Sequence, residues 1–322
     1  MVRYMQGLPC ISEKLVDVIV IACPGQGSQT PGFLNEWLEL PGAREALGSA
    51  SERVGVDLIA HGTVSDADTI RDTSIAQPLI VAASLLAWRE LAARTSLAEV
   101  GVAGHSVGEF AAAAAAGVLS ESDALHLVGI RGRAMAEAAT RAKTGMAAVV
   151  GGVEADVLAA IEAQGLTPAN RNGGGQIVAA GALDALDALA EQAPRGARVI
   201  RLQVAGAFHT SYMADAIPAL QAAAAEVTAQ TPTHRLWTNQ DGSVVTDGAR
   251  FVDLLVSQVA HPVRWDACME GFQASGITGL IELSPAGALT GIAKRALKGT
   301  PAVAVKSPAD LDAAVALLAD AA

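Results

Sequence analysis

The sequence is poor in aromatic residues, in cysteine and in positive charge, and each shortage excludes something. Phe, Trp and Tyr make up only 3% of the 322 residues, so the 51% hydrophobic fraction rests on aliphatics, with alanine in runs such as Ala111–Ala116 and Ala222–Ala225. Alanine favours helix and close packing over a bulky core. Three cysteines, Cys10, Cys23 and Cys268, have no C-x-x-C spacing. That excludes a disulfide framework and a zinc site and points to a reducing, cytoplasmic setting with no bound metal. Lys and Arg number 22 against 33 Asp and Glu, a net charge of -11. A nucleic-acid binder needs a basic cluster that no stretch here supplies. The apolar run Val18–Cys23 is too short for a signal-peptide core, and no stretch is expected to reach the ~20 residues of a membrane span. With only 17% charged residues, the chain has enough apolar content to fold rather than remain disordered.

What is present is an alternation of strands and helices. Residues 1–16 show no period and read as an N-terminal extension. Val18–Ala22 reads as a buried strand entering the turn Gly25-Gln26-Gly27, Ile75–Arg94 as a helix, and Val100–Ala103 as a second strand entering another glycine turn. Strands separated by helices of this length imply a parallel sheet covered on both faces. Between about 140 and 205 the rhythm tightens to strand (Met146–Val150), helix (Ala155–Gln164), strands (Thr167–Asn170 and Gln176–Ala180), helix (Ala182–Gln192) and strand (Arg198–Leu202). That order is the split βαβ arrangement of a ferredoxin-like module. The expected organisation is a large α/β domain, residues 17–139 and 206–322, with a small subdomain inserted at 140–205. After the insertion we expect a helix over Met213–Ala229, a strand at Arg235–Thr238, helices from Ala249 and Val263, a strand at Leu280–Leu283, a helix over Gly287–Leu297, a strand at Ala302–Val305 and a last helix from Ala309. Two α/β lobes leave a cleft between them, where ligands usually bind.

The sharpest motif is Gly104-His105-Ser106-Val107-Gly108, a G-x-S-x-G between an apolar strand and an alanine-rich helix. Its glycines let the turn pinch so that the serine hydroxyl stands exposed and the next backbone N–H faces a developing oxyanion. An ordinary glycine-flanked turn satisfies the pattern equally. A nucleophilic serine needs a base. His105 adjoins it, but in so tight a turn its ring should point away; His61, His126 and His234 lie in polar or helical settings. His209 follows the strand that leaves the insertion, beside the expected cleft. On the helix Ser120–Thr140, Arg131 falls on the apolar stripe of Ala124, Val128 and Met135. A guanidinium facing the interior needs an anion, whether a buried carboxylate of the protein or a ligand. The Gly25 loop lacks the third glycine of G-x-G-x-x-G, since Thr30 stands there, which argues against a dinucleotide fingerprint.

Taken together, Pro24-Gly25-Gln26-Gly27-Ser28-Gln29, Gln77-Pro78, Gly104-His105-Ser106-Val107-Gly108-Glu109, Arg131-Gly132, Asn170 with Asn172, Gly175-Gln176, Ala207-Phe208-His209 and Pro262-Val263-Arg264-Trp265 resemble the malonyl-CoA:acyl carrier protein transacylases, in order and from about Val18 to Leu317. The resemblance implies a hydrolase-like α/β core with a ferredoxin-like insertion, and a cofactor-free transfer in which malonyl-CoA is a substrate. Ser106 would take the malonyl group with His209 as base, and the phosphopantetheine thiol of an acyl carrier protein would remove it, for fatty-acid or polyketide synthesis. The N–H groups of Gln26 and Val107 would form the oxyanion hole, and Arg131 would hold the malonyl carboxylate. Gln77, His105, Asn170 and Asn172 would line the acyl and pantetheine path. In related domains a Phe before the histidine accompanies malonyl rather than methylmalonyl use, which gives Phe208 a selective role. The histidine would be oriented by a backbone carbonyl near the Pro-Val-Arg-Trp segment, with His261 standing where Asn is commoner.

A serine esterase or thioesterase shares the elbow and the base; Arg131 separates the two readings. Acyl carrier proteins are acidic, so a chain at -11 needs a local basic surface to meet one. Lys294, Arg295 and Lys298 on one helix, and Arg198 and Arg201 at the edge of the insertion, are the candidates, in a protein expected to act as a monomer.

Overall fold

The computed structural model describes residues 18–320, so the expected extension at 1–16 and Cys10 lie outside the described residues. Five strands, β1 (Val18–Cys23), β2 (Gly101–Gly104), β7 (Arg235–Leu236), β9 (Ile277–Glu282) and β10 (Ala302–Ala304), form one sheet in the order β10-β9-β1-β2-β7. All its pairings are parallel. The apolar runs of β1 and β2 are buried along their whole length, as a sheet covered on both faces requires.

The second sheet contains β3 (Thr144–Gly151), β4 (Thr167–Gly173), β5 (Gln176–Ala182), β6 (Ala197–Arg201) and β8 (Val263–Arg264), in the order β6-β3-β5-β4-β8. Its first four strands pair antiparallel, and with the helices between them they reproduce the ferredoxin-like order expected from the sequence. The fifth strand is a departure. Val263 and Arg264 do not open a helix; they pair parallel to Asn170 and Arg171, and the Arg264 N–H also bonds the Asn239 carbonyl at 2.8 Å. Pro262 biases its neighbourhood toward extended backbone, and the open edge of β4 supplies the partner.

The first six helices are α1 (Ala43–Val54), α2 (Leu58–Thr63), α3 (Thr73–Ala92), α4 (Gly108–Ala115), α5 (Glu121–Ala139) and α6 (Glu154–Ala163). The rest are α7 (Leu183–Glu191), α8 (Ile217–Ala224), α9 (Gly248–Ser257), α10 (Trp265–Ala274), α11 (Ala288–Ala296) and α12 (Leu311–Asp320). Helices α1 and α2 are additional to the expected elements. The helix expected over 213–229 is shorter, because Ser211–Ala216 is a 3₁₀ turn and Pro218 sits in the first turn of α8.

Helix α3 has the length and mean hydropathy, 1.3 over its best window, of a membrane span, contrary to the expectation that no stretch does. Alanine, leucine and isoleucine supply that hydropathy, yet 72% of the window is buried inside the protein against the other helices. It packs tightly on α5. A Cβ on Gly132 would stand 3.0 Å from the Thr73 carbonyl and 3.6 Å from the Gln77 Cβ, so the glycine lets the two backbones approach and brings Gln77 beside Arg131. Asp72 caps α3 through the Ser74 N–H, and Ser120 caps α5 through the Asp123 N–H.

Candidate active site

The chain turns sharply between β2 and α4. A Cβ on Gly104 would lie 2.2 Å from the Gly108 carbonyl carbon, and one on Gly108 would lie 2.2 Å from the Cys23 carbonyl oxygen, so neither position admits a side chain. Between them Ser106 is held at φ 51°, a region costly to a non-glycine residue. The turn therefore pushes the hydroxyl out over the ends of the parallel strands, and Val107 follows at the mouth of α4, where backbone N–H groups have no intrahelical partner.

His209 faces the serine across the cleft and is also held at positive φ, 60°. Ser106 Oγ and His209 Nε2 are 2.7 Å apart, and His209 Nδ1 is 2.7 Å from the Gln258 carbonyl oxygen. A carbonyl only accepts, so Nδ1 carries the proton and Nε2 is free to accept one from Ser106. Burial pushes the imidazole down to about 3, and the nearby positive charge of Arg131 adds to the effect. The ring is thus neutral, the form a base needs. The orienting group is a carbonyl, and His261 turns its own ring back to the Ser257 carbonyl at 2.7 Å, leaving only its main chain near His209.

Arg131 projects from α5 into the same space and is 1% exposed. Its Nη2 donates to Gln258 Oε1 at 2.6 Å and to Ser106 Oγ at 3.3 Å, its guanidinium carbon lies 5.7 Å from the Phe110 ring centroid, and its Nε is buried without a hydrogen-bond partner. Burial drives its proton affinity down while the negative charge of Glu109 raises it again; an arginine stays protonated under both influences. No carboxylate lies in direct contact with it among the ion pairs of the described residues. Gln77 is also incompletely satisfied: its Nε2 meets Met135 Sδ at 3.5 Å, and its Oε1 is buried without a partner.

The Gln26 side chain turns away to the Arg71 carbonyl at 3.1 Å, and the residue lines the same cleft as the serine. His105, next to the serine in the elbow, pairs through Nε2 with Asn172 Oδ1 of the small sheet at 2.9 Å, and Asn172 Nδ2 donates to Gln176 Oε1 at 2.9 Å. The His105 ring is engaged by Asn172, while Ser106 Oγ pairs with His209, and burial lowers the affinity of His105 for a proton.

These groups enclose a cleft of about 350 Å³ between the two sheets. Ser106, His209, Gln26, Val107, Arg131, Gln77, His105, Asn170, Asn172 and Phe208 all line it, so every site residue expected from the sequence comes to one place. Leu289 and Ile292 of α11 add an apolar edge. Among the described residues, no group of three or more His, Cys, Asp or Glu converges as a metal site would require. The basic candidates lie outside the cleft. Arg295 bonds the Gly174 and Gly291 carbonyls, Arg201 pairs with Asp187 at 3.1 Å, and Lys294, Lys298 and Arg198 are exposed.

Three residues in this arrangement carry no motif of their own. Gln258 touches His209, Arg131 and Ser106, and Glu109 and Asn239 lie directly behind it. Their only sequence signal is Glu109 closing the G-x-S-x-G stretch.

A serine raised on a strand–turn–helix elbow over a parallel sheet, paired with a neutral histidine, places the chain in the hydrolase-like α/β class. The sequence profile of the acyl transferase domain matches residues 20–316. A malonyl CoA-acyl carrier protein transacylase of Mycobacterium tuberculosis is 53% identical over 297 residues, 92% of this chain and 98% of that protein. Another, from Salmonella typhimurium, is 35% identical over 91% of this chain and 97% of its own length. A crystal structure of MCAT from Mycobacterium tuberculosis superposes with a TM-score of 0.89 at 53% identity, covering 92% of this chain and 99% of that one. The chain belongs to the acyl transferase domain family.

Proposed function

We propose that the protein moves a malonyl group from malonyl-CoA to the phosphopantetheine thiol of an acyl carrier protein through a malonyl ester on Ser106. The observation that carries this reading is Arg131: a buried guanidinium 3.3 Å from the serine hydroxyl, with no protein carboxylate bound to it and one N–H unused. A carboxylate two bonds beyond a thioester carbonyl meets that need when the carbonyl carbon sits over Ser106.

In the first half-reaction the Ser106 hydroxyl gives its proton to His209 Nε2 as Oγ bonds to the thioester carbon. The N–H groups of Gln26 and Val107 hold the resulting oxyanion, a role in which loss of one donor typically costs about 10²- to 10³-fold in rate. The C–S bond breaks, and the departing CoA sulfur takes the proton from His209. In the second half the carrier thiol gives its proton to His209 and attacks the ester, and Ser106 leaves with that proton. No cofactor enters either half.

Phe208 would crowd an α-methyl group, and Gln77, His105, Asn170 and Asn172 would guide the acyl and pantetheine chain. The carrier, being acidic, would dock through Lys294, Arg295 and Lys298 or through Arg198 and Arg201, on a monomer working in the cytoplasm. The division into 17–139 with 206–322 and an inserted 140–205 belongs to the same proposal; the two sheets favour it, and β8 crosses it.

Incubation with malonyl-CoA should add one malonyl group to Ser106 by intact mass, stable in buffer and lost on addition of holo carrier protein, which gains it. Release of free malonate without transfer would instead support a thioesterase, and an unchanged rate in Ser106→Ala would sink both readings.

A further inference from the structure

Glu109 is the buried acid in the first turn of α4, 1% exposed, and the transfer mechanism gives it no task. Each of its oxygens is engaged. The Asn239 N–H donates to Oε1 at 2.6 Å, and Gln258 Nε2 donates to Oε2 at 2.5 Å; the Thr238 side chain adds a further donor. Both principal donors continue to the reacting groups. Asn239 Oδ1 accepts the Ser106 N–H at 2.6 Å, and Asn239 Nδ2 donates to the Gly104 carbonyl. Gln258 Nε2 also donates to the Ser106 carbonyl at 3.1 Å, Gln258 Oε1 accepts from Arg131, and the Gln258 carbonyl accepts from His209 Nδ1. One carboxylate thus sits at the root of contacts that fix the strained serine backbone, the base and the guanidinium.

The orientation of the Gln258 amide is set by this acid on one side and by the donor-only Arg131 on the other. A carboxylate with three donors around it can only accept, so Gln258 must present its NH₂ to Glu109 and its oxygen to Arg131. With a donor in place of Glu109, the amide would be driven to flip, turning its NH₂ toward the guanidinium. Burial pushes Glu109 up to about 7, against the hydrogen bonds from Asn239, Gln258 and Thr238 and the charge of Arg131, all of which favour the ionised form.

We propose that Glu109 is a positioning residue that sets, through Gln258 and Asn239, the alignment of the Ser106–His209 pair and of Arg131 together. It touches no substrate, so it acts on nucleophile reactivity and acyl selectivity at once, two properties that a residue lining the cleft would affect separately.

The proposal rests on the roles given above to Ser106, His209 and Arg131, and its test separates the two. Wild type and Glu109→Gln are compared by thermal melting, by the rate of Ser106 labelling with a sulfonyl fluoride, and by the rates of malonyl and acetyl adduct formation per labelled serine. In Glu109→Gln, labelling and malonyl loading per reactive site should both fall, the latter by about 10²-fold, and the preference for malonyl over acetyl should shrink. A second variant, Glu109→Gln with Gln258→Glu, moves the carboxylate one hydrogen bond along and sets it against Arg131. It should recover sulfonyl fluoride labelling but not malonyl preference, and it is read alone if the single variant does not melt cooperatively. Wild-type rates per reactive site in Glu109→Gln, with any loss confined to the folded fraction, would overturn the proposal, as would full malonyl preference in the double variant. Absence of a malonyl adduct on Ser106 in the wild type would overturn the underlying reading itself.

Discussion

The two sides of the cleft are built differently. On the large-sheet side every reactive group is tied to the backbone or to a buried neighbour: Ser106 by Asn239, His209 by the Gln258 carbonyl, Arg131 by the Gln258 side chain. On the small-sheet side the polar groups are held only through side chains, as Asn172 is by Gln176 and, from the elbow opposite, by His105, among apolar strand residues such as Ala148 and Val178 and the partly exposed Leu202. Bond-making needs atoms held to fractions of an ångström, whereas guiding a flexible thioester arm needs only shape and a few exchangeable hydrogen bonds. Chemistry and guidance are therefore divided between the two layers, and substitutions on the first should cost far more than those on the second.

The largest test of that division is Arg131→Ala. Malonyl loading should fall by about 10- to 100-fold, the worth of hydrogen bonds to a charged partner, while acetyl loading persists. Equal loss for both acyl groups, measured by adduct formation on Ser106, would break the comparison. Phe208→Ala, at the boundary between the two sides, should raise methylmalonyl loading relative to malonyl by about tenfold, the scale of one methyl group in a tight site. Competition between the two thioesters in one tube reads this ratio directly. Asn172→Ala, wholly on the guiding side, should raise KM for malonyl-CoA by about 2- to 10-fold with kcat nearly constant. A fall in kcat of the Arg131→Ala order would erase the distinction.

The smallest expected effect is one of pH. A free imidazole titrates near 6.5, but His209 is depressed to about 3 by burial, with Arg131 as a nearby positive charge. Because the neutral form is the base, acidification through pH 6.5 leaves it competent, and the acid limb of kcat/KM for malonyl-CoA should fall below that value. A limb centred at 6.5 in a still-folded protein would show the histidine to be open to water.

The sequence carried the chemistry further than the scaffold behind it. The serine elbow, His209 and the misplaced-looking Arg131 are visible because each breaks a local pattern: a pinched glycine turn, a histidine at the exit of an insertion, a charge on an apolar stripe. Glu109, by contrast, reads as an ordinary acid favourable at a helix N-terminus. Only folding brings Asn239 and Gln258, 130 and 149 residues away, onto its two oxygens. Val263 and Arg264 were illegible for the same reason. A two-residue strand has no period to read, and its partners, Asn170 and Arg171, lie far earlier in the chain, in the inserted segment. Helix α3 shows the limit from the other direction, since its composition alone does not separate a buried core helix from one that meets lipid.

The pairing of β8 with β4 has a consequence for the catalytic cycle. Because a strand preceding α10 is hydrogen-bonded into the inserted sheet, the two layers share a seam at one side of the cleft. Such a seam works as a fixed spine rather than a hinge. The walls that carry Ser106 on one side and Asn172 on the other are thereby tied through a shared backbone ladder, so donor and acceptor meet the same cleft in turn.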